Sequence, residues 1–219
     1  MKKQTIAVLG LGLFGTAVAR ELAENGADVI ALDLNMEHVE EVIDVVEHAV
    51  QADFTKIEQL VAAGVDTCDI AIIATGEKLE ITILGIMNLK KLGIKEVVVK
   101  TKNFTYQEVL QKVGADRVVL PEVEMGVRLA HELVSTDVLD LIRLDDQYHV
   151  IEMHVLPEWV GKSIDELNVR EKHGINIIAM RQTGSKQLNI TIKPDYIVQE
   201  SDIIIALSED EFVVKSKKL

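Results

Sequence analysis

Hydrophobic and polar positions change rhythm repeatedly along this chain, and each change marks an element. Residues 5–10, "TIAVLG", are almost wholly apolar and end in glycine, the pattern of a short buried strand. Phe14, Val18 and Leu22 then repeat at helical spacing until Asn25-Gly26 stops them. "DVIALD" (28–33) is a second strand. "NMEHVEEVIDVVEH" (35–48) predicts a helix with Met36, Val39, Ile43 and Val46 on one face and acids on the other. A third strand is expected over 49–52, and "IEQLVAAG" (57–64) reads as a short helix. The alternation goes on with a strand at 69–75, a helix at 78–93, a strand at 96–101, a helix at 106–115 and a strand at 117–120. Strands and helices alternating in this way predict an α/β fold, a doubly wound parallel sheet covered on both faces.

Pro121 breaks that grammar. Residues 122–135 form an amphipathic helical pattern with no strand of their own, suited to leading out of the sheet or into a partner. Strand patterns follow at 148–155, 175–182, 188–194 and 201–208, separated by Gly184 and Pro194, so a small α+β domain is expected from about residue 137.

Composition narrows the function classes. Apolar residues make up 48% of the 219 and aromatic ones only 4%, so the core material is Val, Ile, Leu and Ala, which suits a parallel sheet. The net charge is −13 and both halves of the chain are acidic. Such a surface repels phosphate backbones, and no nucleic-acid partner is expected. Cys68 is the single cysteine and the six histidines lack metal-ligand spacing, so neither a disulfide framework nor a thiolate metal cluster is expected. Met1-Lys2-Lys3 runs into the first strand without a secretory apolar region, and no apolar run is long enough for a membrane span. These features predict a soluble, cytoplasmic chain without direct membrane insertion.

Gly10-x-Gly12-x-x-Gly15 lies between a predicted strand and a predicted helix, the setting that gives this spacing its meaning. Gly10 permits a tight turn, Gly12 lets the backbone approach a pyrophosphate, and Gly15 lets helix and strand pack closely. Leu13 and Phe14 fill the loop between the last two glycines. Asp33 ends the second strand, where an acid accepts hydrogen bonds from ribose hydroxyls and disfavours a 2′-phosphate, so NADP is not expected. Asp53, Thr75, Gly76, Lys100 and Glu122 fall at the carboxyl ends of other strands, the edge at which open α/β sheets bind ligands. Lys100 can offset phosphate charge, and Glu122 can hold a cation bridging phosphates.

Hydride chemistry needs a proton donor or acceptor beside the nicotinamide. No His–Asp, Tyr-x-x-x-Lys or cysteine nucleophile arrangement is present, and His131 with Glu132 reads as a solvated helix face. The nucleotide is therefore expected to be a signal and the chain not an enzyme. A small NAD-dependent oxidoreductase is the alternative, and a dimeric ligand-binding module without a membrane partner is a third reading.

The stretches "IAVLGLGLFG", "VDTCDIAIIATGE", "VVVKTKN", "VLQKVGADRVVLPEVEMG" and "SIDELNVREKHGINIIAM" run through the whole chain. In content and order they resemble the RCK (regulator of potassium conductance) family, the TrkA/KtrA-like cytosolic subunits of bacterial potassium uptake systems. The resemblance implies a Rossmann-type nucleotide-binding domain over 1–121, a crossover helix over 122–136 that pairs two subunits, and a C-terminal sensing domain over 137–219. It implies dimers that assemble into octameric rings beneath a potassium-translocating membrane protein of the Trk/Ktr type, at the inner face of the membrane. It also implies ATP/ADP or NAD(H) in the first domain, held by Gly10, Gly12, Gly15, Asp33, Asp53, Gly76 and Lys100, with Glu122 near the phosphates where a cation binds.

One position departs from the pattern. Many relatives carry arginine after the second glycine, where it reaches a terminal phosphate, and this chain has Leu13. Weak discrimination between ATP and ADP is the expected result. The resemblance also implies a second ligand, since in several relatives from Gram-positive bacteria the C-terminal domain binds cyclic di-AMP at the dimer interface. The matching positions are Ile164, Asn168, Val169, Arg170, Asn176, Ile177 and Pro194. Arg170 would meet phosphate, Asn176 a base edge, and the apolar residues the adenines. The same stretch also suits the small domain's core and dimer contact, a role that fits Val169 and Ile177, whereas Arg170 and Asn176 are harder to place in a core and favour the ligand reading.

Overall fold

In the computed structural model, which describes residues 3–76, 78–134, 138–145 and 147–209, contacts divide the chain into two compact units between Val123 and Glu124. The first is built on six parallel strands: β1 (Thr5–Leu9), β2 (Asp28–Asp33), β3 (His48–Gln51), β4 (Ile70–Ile73), β5 (Glu96–Lys100) and β6 (Arg117–Val119). Their order is β3-β2-β1-β4-β5-β6, so the winding reverses between β1 and β4 and opens a crevice at the carboxyl ends of those two strands. Ile6 to Leu9 are all buried, because a parallel strand with helices on both faces has no wet side.

Helices α1 (Leu13–Glu24), α2 (Met36–Glu40), α3 (Ile57–Ala62), α4 (Leu79–Lys91) and α5 (Phe104–Val113) link the strands. One apolar cluster gathers Leu9, Leu32, Phe54, Ile73, Leu89 and Leu110, and a second gathers Val8, Ala19, Val29, Val39 and Val42. Burying each such leucine or isoleucine contributes about 1.5–3 kcal/mol. Asn35 and Asn103 start α2 and α5 by accepting the N–H groups of Glu37 and Thr105.

The segment 35–48 differs from its expected helix. α2 stops at Glu40 and turns carry the chain through 41–45. Val39, Val42 and Val46 are buried, while Met36 is exposed and Ile43 is 52% exposed, so the inward positions are not the expected set. Four β-branched residues within 42–46 weaken a helix, and β3 begins at His48, so the chain must turn early. Pro121 is the first residue of α6 (Pro121–Val134), a position where its missing N–H costs nothing.

The second unit is an antiparallel sheet of β7 (Val138–Arg143), β8 (Tyr148–His154), β9 (Asn176–Gln182) and β10 (Asp202–Glu209), in the order β7-β8-β10-β9. Strand β8 alternates, burying His149, Ile151 and Met153. Two short helices, α7 (Ile164–Leu167) and α8 (Val169–His173), cover a core that includes Trp159, Leu167, Val169 and Ile204.

The strand expected over 188–194 does not form. Only Asn189 pairs, exchanging two bonds with Met180 on β9, and Ile190 is 76% exposed. The chain leaves β9 there because 194–198 must run beside 161–165. In that run the Pro194, Tyr196 and Val198 carbonyls accept the Asp165, Ile164 and Gly161 N–H groups. Strand β7, absent from the expected elements, occupies a sheet edge beside β8.

Candidate functional site

The three loop glycines stand in three different settings. Gly10 has φ +99°, and a Cβ there would stand 2.3 Å from Thr75 Cγ2. A Cβ on Gly15 would stand 1.9 Å from the Gly10 carbonyl oxygen and 3.0 Å from Ala74 Cβ, so α1 sits directly on the β1 and β4 ends. Gly12 is the opposite case: it precedes α1 in extended geometry, and a Cβ there would meet nothing within 4 Å. Two glycines close the turn and the middle one leaves an open approach to the backbone. The Thr16 hydroxyl donates to the Leu11 carbonyl at 2.9 Å and fixes the loop from inside.

Asp33 ties this loop to the end of β2. Its Oδ2 accepts the Leu11 N–H at 2.6 Å and its Oδ1 accepts the Asn35 N–H at 2.8 Å, with the side chain 14% exposed. A carboxylate oxygen accepts more than one bond, so the ribose role and this anchoring role are compatible. His38 Nδ1 stands 3.4 Å from Asp33 Oδ1 without hydrogen-bond geometry. Neither Thr16 nor His38 was among the expected site residues. Thr16 directly follows the third glycine and was the more visible of the two in the sequence.

Leu13 opens α1 and is 95% exposed, a neutral apolar side chain at the loop's rim. Phe14, beside it, lies under the Lys100 ammonium, with Nζ 5.2 Å from the ring centroid. Lys100 also donates to Glu122 Oε1 at 2.8 Å, its side chain 11% exposed against 49% for the glutamate. That hydrogen bond, with further attraction from Lys100 and Lys102, holds the Glu122 carboxyl below its ordinary range, although partial burial opposes the shift. Lys100 and Glu122, expected to act separately, form one pair. Gly76 packs against the Lys100 carbonyl, where a Cβ would lie 3.5 Å away.

Asp53, beyond the end of β3, is held by its own loop. Its Oδ1 accepts the Thr55 hydroxyl at 2.6 Å and the Thr55 N–H at 2.9 Å, and these bonds lower its pKa against the opposing effect of burial. Gly10, Gly15, Thr75, Leu11 and Asp33 are thus in direct contact, as are Phe14, Lys100 and Glu122. Asp53 lies just beyond the edge strand β3, one residue past Ala52, whose N–H donates to the Asp33 carbonyl. Among the described residues no three His, Cys, Asp or Glu side chains gather as a metal cage, so a cation at Glu122 would need oxygens from a ligand.

In the second unit, Ser163 and Glu166 form a reciprocal capping box that starts α7, and these bonds lower the Glu166 pKa. Asn168 ends α7 at φ +44°, the one positive-φ non-glycine residue among those described, and its amide donates to Glu171 Oε2 at 2.6 Å. Val169 is buried, and Ile164 and Ile177 pack against the same core. Arg170 is exposed on α8, Asn176 is half-buried opposite Leu207, and Pro194 is exposed while its carbonyl anchors the start of α7. The apolar members are joined through the core, whereas Arg170 stands outside it.

The TrkA-N domain matches residues 6–121 and the TrkA-C domain matches residues 150–211. The chain belongs to the TrkA/RCK family. Ktr system potassium uptake protein C of Bacillus subtilis (strain 168) is 35% identical over 94% of this chain and 92% of its own length. Ktr system potassium uptake protein A of Vibrio alginolyticus is 32% identical over 97% and 96%. The solved GsuK channel is 18% identical with a TM-score of 0.68, over 97% of this chain and 38% of that one, a likeness of fold. TrkA/RCK relatives of this kind are regulatory subunits and not enzymes, which removes the oxidoreductase alternative.

Proposed function

We propose that this chain is the nucleotide-reading regulatory subunit of a Trk/Ktr-type potassium transporter. An adenine nucleotide, ATP/ADP or NAD(H), lies along the Gly10–Gly15 loop, with its ribose at Asp33 and its phosphates near Gly12 and Lys100. Asp53, Thr75 and Gly76 border the ligand, and a cation joins Glu122 to the phosphates. The observation that carries this reading is the contrast among the glycines: a turn kept only for packing has no need of a glycine facing open space at position 12. Support for the potassium role comes from the two uptake-system relatives matched over nearly their whole length.

Cyclic di-AMP is the proposed second ligand, set on a two-fold axis between paired C-terminal domains so that one symmetric molecule uses each contact twice. Arg170 meets its phosphate, Asn176 a base edge, Ile164, Val169, Ile177 and Pro194 the adenines, and Asn168 shapes the turn. The helix over 122–136 pairs subunits, 137–219 senses, and four dimers close an octameric ring. No helix among the described residues is long and apolar enough to cross a membrane. In this reading the chain works at the inner membrane face through its transporter. Ligand control of transport is limited by the difference in affinity between ring states, typically about 1–3 kcal/mol.

Co-expression with a Trk/Ktr-type membrane subunit in cells lacking their own potassium uptake tests the role. Uptake should depend on the chain and lose that dependence with Gly12→Ala. Uptake indifferent to the chain's presence would contradict it.

A further inference from the structure

Lys100 has one anionic and one aromatic neighbour. Its ammonium is hydrogen-bonded to Glu122 Oε1 at 2.8 Å and lies 5.2 Å from the centre of the Phe14 ring. Phe14 belongs to the first turn of α1, which starts directly after Gly12, where a Cβ would meet only open space. With a side chain only 11% exposed, Lys100 cannot serve a new anion by swinging into solvent; it must turn from one partner towards another. Glu122 is the second residue of α6, the helix that carries the chain out of the first unit.

We infer that Lys100 is a positioning residue handed from Glu122 to the nucleotide phosphate, so that ligand binding releases the first turn of α6. This rests on the nucleotide reading above and adds its route of regulation. In the ligand-free chain the largely covered Lys100 ammonium is paired with Glu122. A phosphate arriving at the α1 N-terminus competes for it, and the freed carboxylate changes the electrostatics of the first turn of α6. The apolar Leu13 supplies no charge at the loop rim, which leaves Lys100 as the cation already pointed at the α1 turn.

The test is calorimetric titration of the full-length chain with ADP in chelator-treated buffer, as a two-residue cycle. Glu122→Gln should tighten ADP binding by about fivefold, the scale of a partly exposed ion pair. Lys100→Gln should weaken it, Lys100→Arg should largely keep it, and Glu122→Gln added to Lys100→Gln should change nothing further. Hydrogen exchange at Val123 to Met125 should change on ADP addition in the natural chain and not in Glu122→Gln. Natural chain that binds ADP while Glu122→Gln binds it equally or more weakly overturns the hand-over alone. Equal tightening in the Lys100→Gln background also overturns it, since the glutamate would then act only by long-range repulsion. A natural chain that binds neither ADP nor NAD overturns the nucleotide reading itself, and this inference with it.

Discussion

The two units hold their candidate ligand residues in opposite ways. In the first, the site is made of backbone: Gly10, Gly12 and Gly15 set its shape, and Asp33 pins the loop through N–H groups of Leu11 and Asn35. In the second, the candidate residues are side chains on two short helices and the turn between them, a strand end and the loop at Pro194, several of which the core needs anyway. A backbone cradle constrains residue identity at every position, so its purpose can be read from which glycines are closed and which is open. A side-chain site of the second kind separates from ordinary packing at Arg170, an exposed charged side chain; Pro194, also exposed, already serves the fold by anchoring the start of α7 through its carbonyl.

Gly15→Ala attacks the backbone site hardest. The new methyl would lie 1.9 Å from the Gly10 carbonyl oxygen, a clash with backbone that cannot give way without moving α1. A loss of about 3 kcal/mol is expected, read as a lower denaturation midpoint by chemical unfolding. A midpoint unchanged from the natural chain would show that α1 is not seated on the loop as described. Arg170→Ala makes the complementary cut in the second unit. Affinity for cyclic di-AMP should fall by about tenfold or more, from loss of a charged hydrogen bond worth about 1.5–3 kcal/mol, while stability stays within about 0.5 kcal/mol. Titration showing equal affinity in the variant would return residues 164–177 to a purely structural role.

Smaller changes sharpen the contrast within the first unit. ATP and ADP should bind the natural chain within about tenfold of each other, and Leu13→Arg should add a preference for ATP of up to about 3 kcal/mol. Since Leu13 is 95% exposed, the arginine has room, and competition titrations that show no gain in the variant would remove position 13 from phosphate recognition. The smallest effect concerns the helix side of the sheet. Lys90, 2.6 Å from Asp116, holds that carboxyl below its ordinary 3.8, and the Val97 N–H adds to this. A depressed folded-state pKa means that the pair's contribution is complete above about pH 3.8 and is lost as the pH falls through the lower folded value. Asp116→Asn should therefore flatten the acid limb of thermal stability below pH 4, by less than about 1 kcal/mol because the pair is partly solvated. Parallel pH profiles for the two proteins would contradict the pairing.

Much of the first unit was legible because parallel strands buried on both faces read as unbroken apolar runs, as in 5–9 and 28–33. The glycine loop and Asp33 were legible because strand, turn and helix set their spacing. The Lys100–Glu122 pair was not, since the two residues lie on different elements, and only the sheet order brings the ends of β5 and β6 together. The helix expected over 35–48 failed where β-branched residues cluster before β3. At 188–194 the alternation of Leu188, Ile190 and Ile192 imitated a strand, but hydrogen bonds to 161–165 claim the chain just beyond it. Periodicity reports which residues alternate; it does not report where the backbone must go next.

The most direct measurement is calorimetric titration of full-length chain with ADP and with NAD, natural against Gly12→Ala. A methyl at Gly12 meets only open space, and its φ of −68° suits alanine, so the variant should fold and melt as the natural chain does. The account predicts saturable binding of at least one of these nucleotides, one per chain, and its loss in the variant with the melting temperature unchanged. Equal binding by both proteins, or no binding by the natural chain, would contradict the claim that this loop is a nucleotide cradle.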